Sequence, residues 1–94
     1  MNKAQLIDEL STHFGGSRRD AAHALKAVVD TVTTTVATGE RVSVTGFGVF
    51  ERVDRPPRTV RNPRTGERQA AEASSVVRFR PGTSLKAAVA REGR

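Results

Sequence analysis

The residues best equipped for chemistry are arginines. Arg52, Arg55, Arg58, Arg61, Arg64 and Arg68 fall within one short stretch, opposed there only by Asp54 and Glu67. A guanidinium stays charged, presents a planar fork of donors and is less strongly hydrated than an ammonium, which suits phosphates and groove edges. No catalytic constellation accompanies them. His13 and His23 lie ten residues apart on separate expected helices, there is no cysteine, and no carboxylates cluster at metal-ligand spacing. Both histidines read as ordinary helix residues. No phosphate-cradling loop of the Walker type is present. The expectation is a binding protein with no enzyme activity, no metal and no cofactor.

Charge locates the binding surface. The 94 residues carry 16 Lys and Arg against 10 Asp and Glu, a formal net charge of +6. Basicity of this degree implies a polyanion partner, nucleic acid or anionic lipid. Residues 1–45 hold five basic and five acidic side chains and sum to zero, so the whole excess lies in residues 46–94. The first half reads as scaffold and the second as contact surface. Arginine outnumbers lysine 13 to 3, a bias that guanidinium chemistry explains and that GC-rich coding would also produce.

The elements that must position these arginines follow from periodicity. Asn2 is a good N-cap and Gln5 completes a capping box. Leu6, Ile7, Leu10 and Phe14 then recur at helical spacing, and Gly15-Gly16 ends the helix. Ser17, with Asp20 three residues on, caps a second helix from about Arg18 to Thr38. Its apolar stripe comprises Ala21, Ala24, Leu25, Val28, Val29, Val32 and Val36. The β-branched run Thr31–Val36 prefers strand locally, but burial of a stripe outweighs a few tenths of a kcal/mol per residue, so helix is expected. Arg41–Val44 and Val49–Val53 alternate with period two around Thr45-Gly46-Phe47-Gly48, the pattern of a β-hairpin. Ser75–Arg80 reads as a further strand, broken by Pro81-Gly82. Thr83 is expected to cap a short last helix, Ser84 to about Ala90, with Leu85, Ala88 and Val89 inward and a frayed tail at Arg91–Arg94.

Between these strands, Asp54–Ser75 is polar, rich in Arg and Pro, and too poor in apolar residues to build a core. It is either a solubilising, disordered basic loop or a ribbon projecting into solvent. Asn62-Pro63-Arg64-Thr65-Gly66 is a turn signal near its middle, which favours a two-stranded arm. Arg55, Arg58 and Arg61 recur every three residues. Odd spacing puts neighbours on opposite faces of a strand, an arrangement that suits a thin arm surrounded by its ligand. Pro63 at the tip is a turn residue, and apolar side chains at such a position can also wedge between base steps and kink DNA. Phe47, Phe50 and Phe79 could stack on bases, but their place among strand residues argues for burial.

Gly46-Phe47-Gly48-Val49-Phe50, followed by Arg55-Pro56-Pro57-Arg58-Thr59-Val60-Arg61-Asn62-Pro63-Arg64-Thr65-Gly66, resembles the signature of the HU and integration host factor family. The resemblance runs from Met1-Asn2-Lys3 and Leu6-Ile7 to Phe79-Arg80-Pro81-Gly82 and Leu85-Lys86. It implies an α+β fold with two N-terminal helices, a three-stranded antiparallel sheet with a long protruding β-ribbon arm, a short C-terminal helix, and an intertwined homodimer. One domain, 1–94, is expected: a mainly helical dimerisation body over 1–45, a saddle sheet and arm over 46–81 with the arm about 54–75, and a terminal helix and tail over 82–94. The resemblance also implies that Arg55, Arg58, Arg61, Asn62 and Arg64 contact DNA in the minor groove, with Pro63 intercalating. The returning strand Glu67–Ala73 departs from the alternating lysine and isoleucine pattern of many relatives, and Glu72 adds a negative charge.

The resulting expectation is architectural. Arg52, Arg68, Arg78 and Arg80, with Lys3 and Lys86, join the arm residues on double-stranded DNA, with a preference for bent, nicked or junction forms. Leu6, Leu10, Leu25, Val28, Val29, Val32, Val36, Phe47, Phe50 and Phe79 form the dimer core. A paralogous subunit is a candidate further partner; a sequence-preferring integration-host-factor-like role and RNA binding are the competing readings. No apolar run approaches the ~18 residues of a membrane span and no leader is evident, so a cytoplasmic, nucleoid-associated protein without a membrane partner is expected.

Overall fold

The computed structural model describes residues 1–93. The chain falls into two compact units, Met1–Thr34 and the remainder from Thr35, and each is described by itself.

The first unit is helical. Helix α1 spans Lys3–Ser11 and continues through one 3-10 turn, Thr12–Phe14, to Gly15 in the left-handed conformation. Its capping box is complete. The Asn2 side chain accepts from the Gln5 amide at 2.9 Å, and the Gln5 side chain accepts from the Asn2 amide at 2.8 Å. Two of the donors a helix start leaves unpaired are thereby satisfied. Helix α2, Arg18–Ala37, begins where Ser17 Oγ accepts from the Asp20 amide at 3.1 Å. Asp8 and Arg18 form an ion pair between the two helices. The β-branched run is helical as expected.

The apolar stripe of α2 is not inward throughout. Ala21 and Val36 are buried, whereas Val28 and Val29 are 61% and 51% exposed. A single chain leaves the middle of the stripe uncovered.

The second unit is a sheet with an extension. Strands β1 (Val42–Val44), β2 (Gly48–Arg55) and β5 (Ser74–Pro81) form an antiparallel sheet in the order β1-β2-β5, and β3 (Arg58–Arg61) pairs with β4 (Arg68–Ala71) in a separate ribbon. The register runs on in phase across the gap. Arg55 faces Ser74 on one side and Arg58 faces Ala71 on the other, leaving Pro56 and Pro57 opposite Ala73 and Glu72. Proline has no N–H to give a ladder, so one long hairpin is divided into body and arm. The body sheet reaches to Arg55 and Ser74, which shortens the free arm relative to the expected 54–75.

Three expectations about the C-terminal helix need correction. Helix α3 spans Thr83–Glu92, so Arg91 and Glu92 are helical; Arg94 lies outside the described residues. Its N-cap is Gly82, not Thr83. The reason is a docking contact. The Gly82 amide donates to the Phe47 carbonyl at 2.8 Å and the Leu85 amide to the Gly46 carbonyl at 3.1 Å, so the hairpin turn satisfies donors that a side-chain cap would otherwise serve. Val89, expected inward, is 62% exposed.

Among the described residues only Ala21 and Val36 are buried apolar side chains, and no large side chain is fully buried. A Cβ on Gly82 would lie 2.6 Å from the Gly46 backbone. We expect Gly82→Ala to destabilise the protein by about 1–3 kcal/mol, the range for overpacking. In urea titration the midpoint should fall with the slope unchanged.

Candidate nucleic-acid interface

The strand register sorts side chains to faces, because successive residues of a strand point to opposite sides. In the body sheet, Val49, Glu51 and Val53 share one face with Arg80, Arg78 and Val76; Phe50, Arg52 and Asp54 share the other with Phe79, Val77 and Ser75. The second face gathers the aromatics. Phe50 and Phe79 have ring centroids 4.7 Å apart, and Phe47 lies 5.6 Å from Phe79. Gly48 lets the Phe79 ring approach, since a Cβ there would meet it at 2.4 Å. Phe47 and Phe79 remain 48% and 39% exposed, so the cluster is assembled but only half covered by its own chain.

The expected body arginines are held by carboxylates. Arg80 Nε lies 2.7 Å and Arg78 Nη2 3.3 Å from Glu51 Oε1. The Glu51 side chain is 14% exposed and those of Arg78 and Arg80 54%, so the acid sits beneath the two more exposed cations. Both guanidinium groups thus share the one carboxylate oxygen. Burial pushes the Glu51 carboxyl up, but the Arg78 contact and the charges of Arg78, Arg80 and Arg41 outweigh it and hold it below its ordinary range. Arg52 is anchored as well. It donates through Nε to Asp54 at 2.7 Å and through Nη1 to the Ala37 carbonyl at 2.7 Å. Hydrogen bonds from Arg52 and then Ser75 hold Asp54 below the usual carboxylate range.

The arm is different. Arg55 ends β2, Arg58 and Arg61 bound β3, Arg64 sits in the turn and Arg68 opens β4. All five are exposed, and among the described residues none has a carboxylate partner within ion-pair distance. Asn62 closes the tip. Its carbonyl accepts from Gly66 at 2.8 Å, its amide donates to the Glu67 carbonyl at 2.7 Å, and its side chain accepts from the Arg64 amide at 2.9 Å. The i→i+4 bond makes this an α-turn, with Pro63 in its first position beyond Asn62. Gly66 has φ +74°, a left-handed conformation that glycine adopts without steric cost. An open hollow lined by Asp54, Arg55, Pro56, Ala73, Ser74 and Ser75 marks the base of the arm.

Arg58 and Arg61 fall on opposite faces, as their spacing implies. Lys3 opens α1 in the first unit and Lys86 lies in the first turns of α3. Sequence reasoning missed three arrangements: Glu51 beneath Arg78 and Arg80, the tether of Arg52 to Ala37, and Arg61 directly opposite Arg68. The alternation around Glu51 carried a signal for the first. The other two needed the register and the chain path.

The fold and the basic arm define a bacterial DNA-binding protein: the family of that description matches residues 1–90. The chain belongs to this family, whose HU members are structural DNA-binding proteins and not enzymes. It is 54% identical over 86 residues to DNA-binding protein HU 2 of Streptomyces coelicolor, covering 92% of this chain but only 39% of that relative's length. It is 44% identical to DNA-binding protein HU of Geobacillus stearothermophilus, covering 95% of this chain and 99% of the relative. Among solved structures it is similar to an Anabaena HU–DNA cocrystal structure, with TM-score 0.82, 33% identity and coverage of 96% and 98%. HU from Thermotoga maritima matches with TM-score 0.66 and 30% identity, covering 95% and 98%. Among the described residues no helix is long and apolar enough to cross a membrane.

The carboxylates set an acid limit. An unfolded Glu51 takes up its proton near its ordinary pKa of 4.5, while the native carboxyl, held lower, does so only at more acid pH. Across that window the unfolded state binds more protons, so stability is present above pH 4.5 and falls as pH falls. Melting temperatures between pH 3 and 7 should show a smaller acid decline in Glu51→Gln than in the parent.

Proposed function

We propose that this chain binds double-stranded DNA as a homodimer, with little sequence preference, and bends it. The unneutralised arginines of the arm carry the reading. A ribbon with five exposed guanidinium groups and Val60 as its one large aliphatic side chain gains little by folding inward, and a polyanion is its natural ligand. The likeness to a relative crystallised with DNA supports the choice of duplex.

In this account the arms enter the minor groove. Arg55, Arg58, Arg61, Asn62, Arg64 and Arg68 contact backbone and groove edges there. The minor-groove pattern does not distinguish A·T from T·A, so sequence preference is weak. Pro63 from each subunit wedges a base step, at a cost of a few kcal/mol, and the bend brings more cationic surface to the backbone. Arg78 and Arg80, outward above Glu51, meet phosphates on the body, with Arg52, Lys3 and Lys86 as flanking charges. DNA that is already bent, nicked or branched binds better because the deformation is already made. Such a role belongs in the cytoplasm, on the nucleoid.

The dimer is argued from packing. Leu6, Val28, Val29, Phe47 and Phe79 are each more than a third exposed in the single chain, and Leu10, Leu25, Val32 and Phe50 are only partly covered. A small domain that leaves this much apolar surface open gains stability by burying it against a second copy.

Mobility shifts of linear, nicked and four-way-junction DNA across a salt series test the reading. Affinity should fall by about 0.9 log units per log unit of salt for each phosphate neutralised, with the nicked and branched forms bound more tightly. Pro63→Ala should still bind but bend less, measured by energy transfer between the ends of a labelled duplex. Undiminished bending would remove the wedge, and sedimentation at the mass of one chain would remove the dimer.

A further inference from the structure

The two faces of the arm are chemically unlike. By the β3–β4 register, Thr59 and Arg61 share one face with Ala70 and Arg68, while Arg58, Val60, Gln69 and Ala71 share the other. The pairing continues to Asn62 and Glu67 through their backbone hydrogen bond, which puts Glu67 on the second face. Thr59, Arg61, Arg68 and Ala70 are all exposed, whereas Val60, Asn62 and Ala71 are partly covered. At the two rungs Thr59–Ala70 and Arg61–Arg68 the first face therefore carries two guanidinium groups and two short side chains. Glu72 continues this face towards the body, and Glu67 lies on the other side.

Arg61 and Arg68 are also directly opposed. Side chains so placed have Cβ atoms about 5 Å apart, and like charges there oppose pairing of the strands. Among the described residues no carboxylate pairs with either guanidinium group: Glu67 points away from the rung, and Glu72 lies four residues from Arg68, nearer the body.

We propose that the Thr59–Arg61–Arg68–Ala70 face carries the arm's phosphate contacts, with Arg61 and Arg68 acting together as a clamp on the backbone while Arg58 and Asn62, on the other face, meet groove edges. This rests on the DNA-binding reading and adds a face and a partner for Arg61. The flanking Thr59 and Ala70 are short enough to let the backbone approach. Phosphate between the two guanidinium groups turns a repulsive rung into an attractive one, so ordering of the arm and binding of DNA reinforce each other.

Two neighbouring substitutions separate the faces. Ala70→Glu and Gln69→Glu change net charge equally, at adjacent positions, on opposite sides of the ribbon. Ala70→Glu should weaken binding to a linear duplex about tenfold or more at low salt, and Gln69→Glu about threefold or less. Arg68→Gln should lower the salt slope by about 0.9 per arm. In the free protein, hydrogen exchange of arm ladder amides, referenced to the body sheet, should slow about two- to fivefold between 0.01 M and 0.5 M salt as the rung is screened. Arg68→Glu should slow it already at low salt. Equal losses for the two glutamate variants, an unchanged slope in Arg68→Gln, or salt-independent arm exchange would each overturn the proposal. A parent protein that shifts no duplex would instead defeat the DNA-binding reading, while the exchange measurement would still report on the rung.

Discussion

Antiparallel pairing in a single phase, from Gly48 opposite Pro81 out to Asn62 opposite Glu67, decides what every other side chain can do. A slip of one residue would send each side chain of one strand to the wrong face. It would part Phe50 from Phe79, Glu51 from Arg78 and Arg61 from Arg68 together. The register is pinned at both ends. The Asn62–Gly66 turn closes the tip, and the Gly46 and Phe47 carbonyls bind the start of α3 immediately after β5 ends. Aromatic packing, the carboxylate beneath Arg78 and Arg80, and the like-charged rung are consequences of that one phase.

Within this phase, Pro56 and Pro57 separate two regimes. On the body side, Arg52, Arg78 and Arg80 are partnered, and the unpartnered run begins at Arg55, where the body sheet ends. Glu51 holds Arg78 and Arg80, and Asp54 with the Ala37 carbonyl holds Arg52. These contacts set direction more than stability, since partly exposed ion pairs contribute little. On the arm side the arginines are unpartnered and the apolar surface is nearly gone. Ladder bonds and one well-made turn are all that favour order there, and an isolated two-stranded ribbon is marginal in water. In the proposed account a ligand that neutralises the arm also completes it.

The body has a parallel shortage. Its apolar residues are arranged in a helical stripe and an aromatic cluster, and a single chain covers each only in part. Both ends of the protein are incomplete in complementary ways: the body lacks apolar cover and the arm lacks negative charge. In the proposed account a second copy answers the first need and nucleic acid the second.

Much of this was legible from residue order, because it depends on near neighbours. The capping box at Asn2 and Gln5, the restart at Ser17, the Gly46–Gly48 turn and the Asn62–Gly66 tip are interactions over two to five residues, and their chemistry is local. The concentration of charge in 46–94 is likewise a property of composition. What tertiary structure decided lies at longer range. Gly82 caps α3 in place of Thr83 because the hairpin turn supplies the acceptors. Val28, Val29 and Val89 stay open because periodicity marks an apolar side without saying what covers it. Glu51 beneath two arginines, and Arg61 against Arg68, depend on strand register, which joins residues far apart in the chain and has no signature in either strand alone.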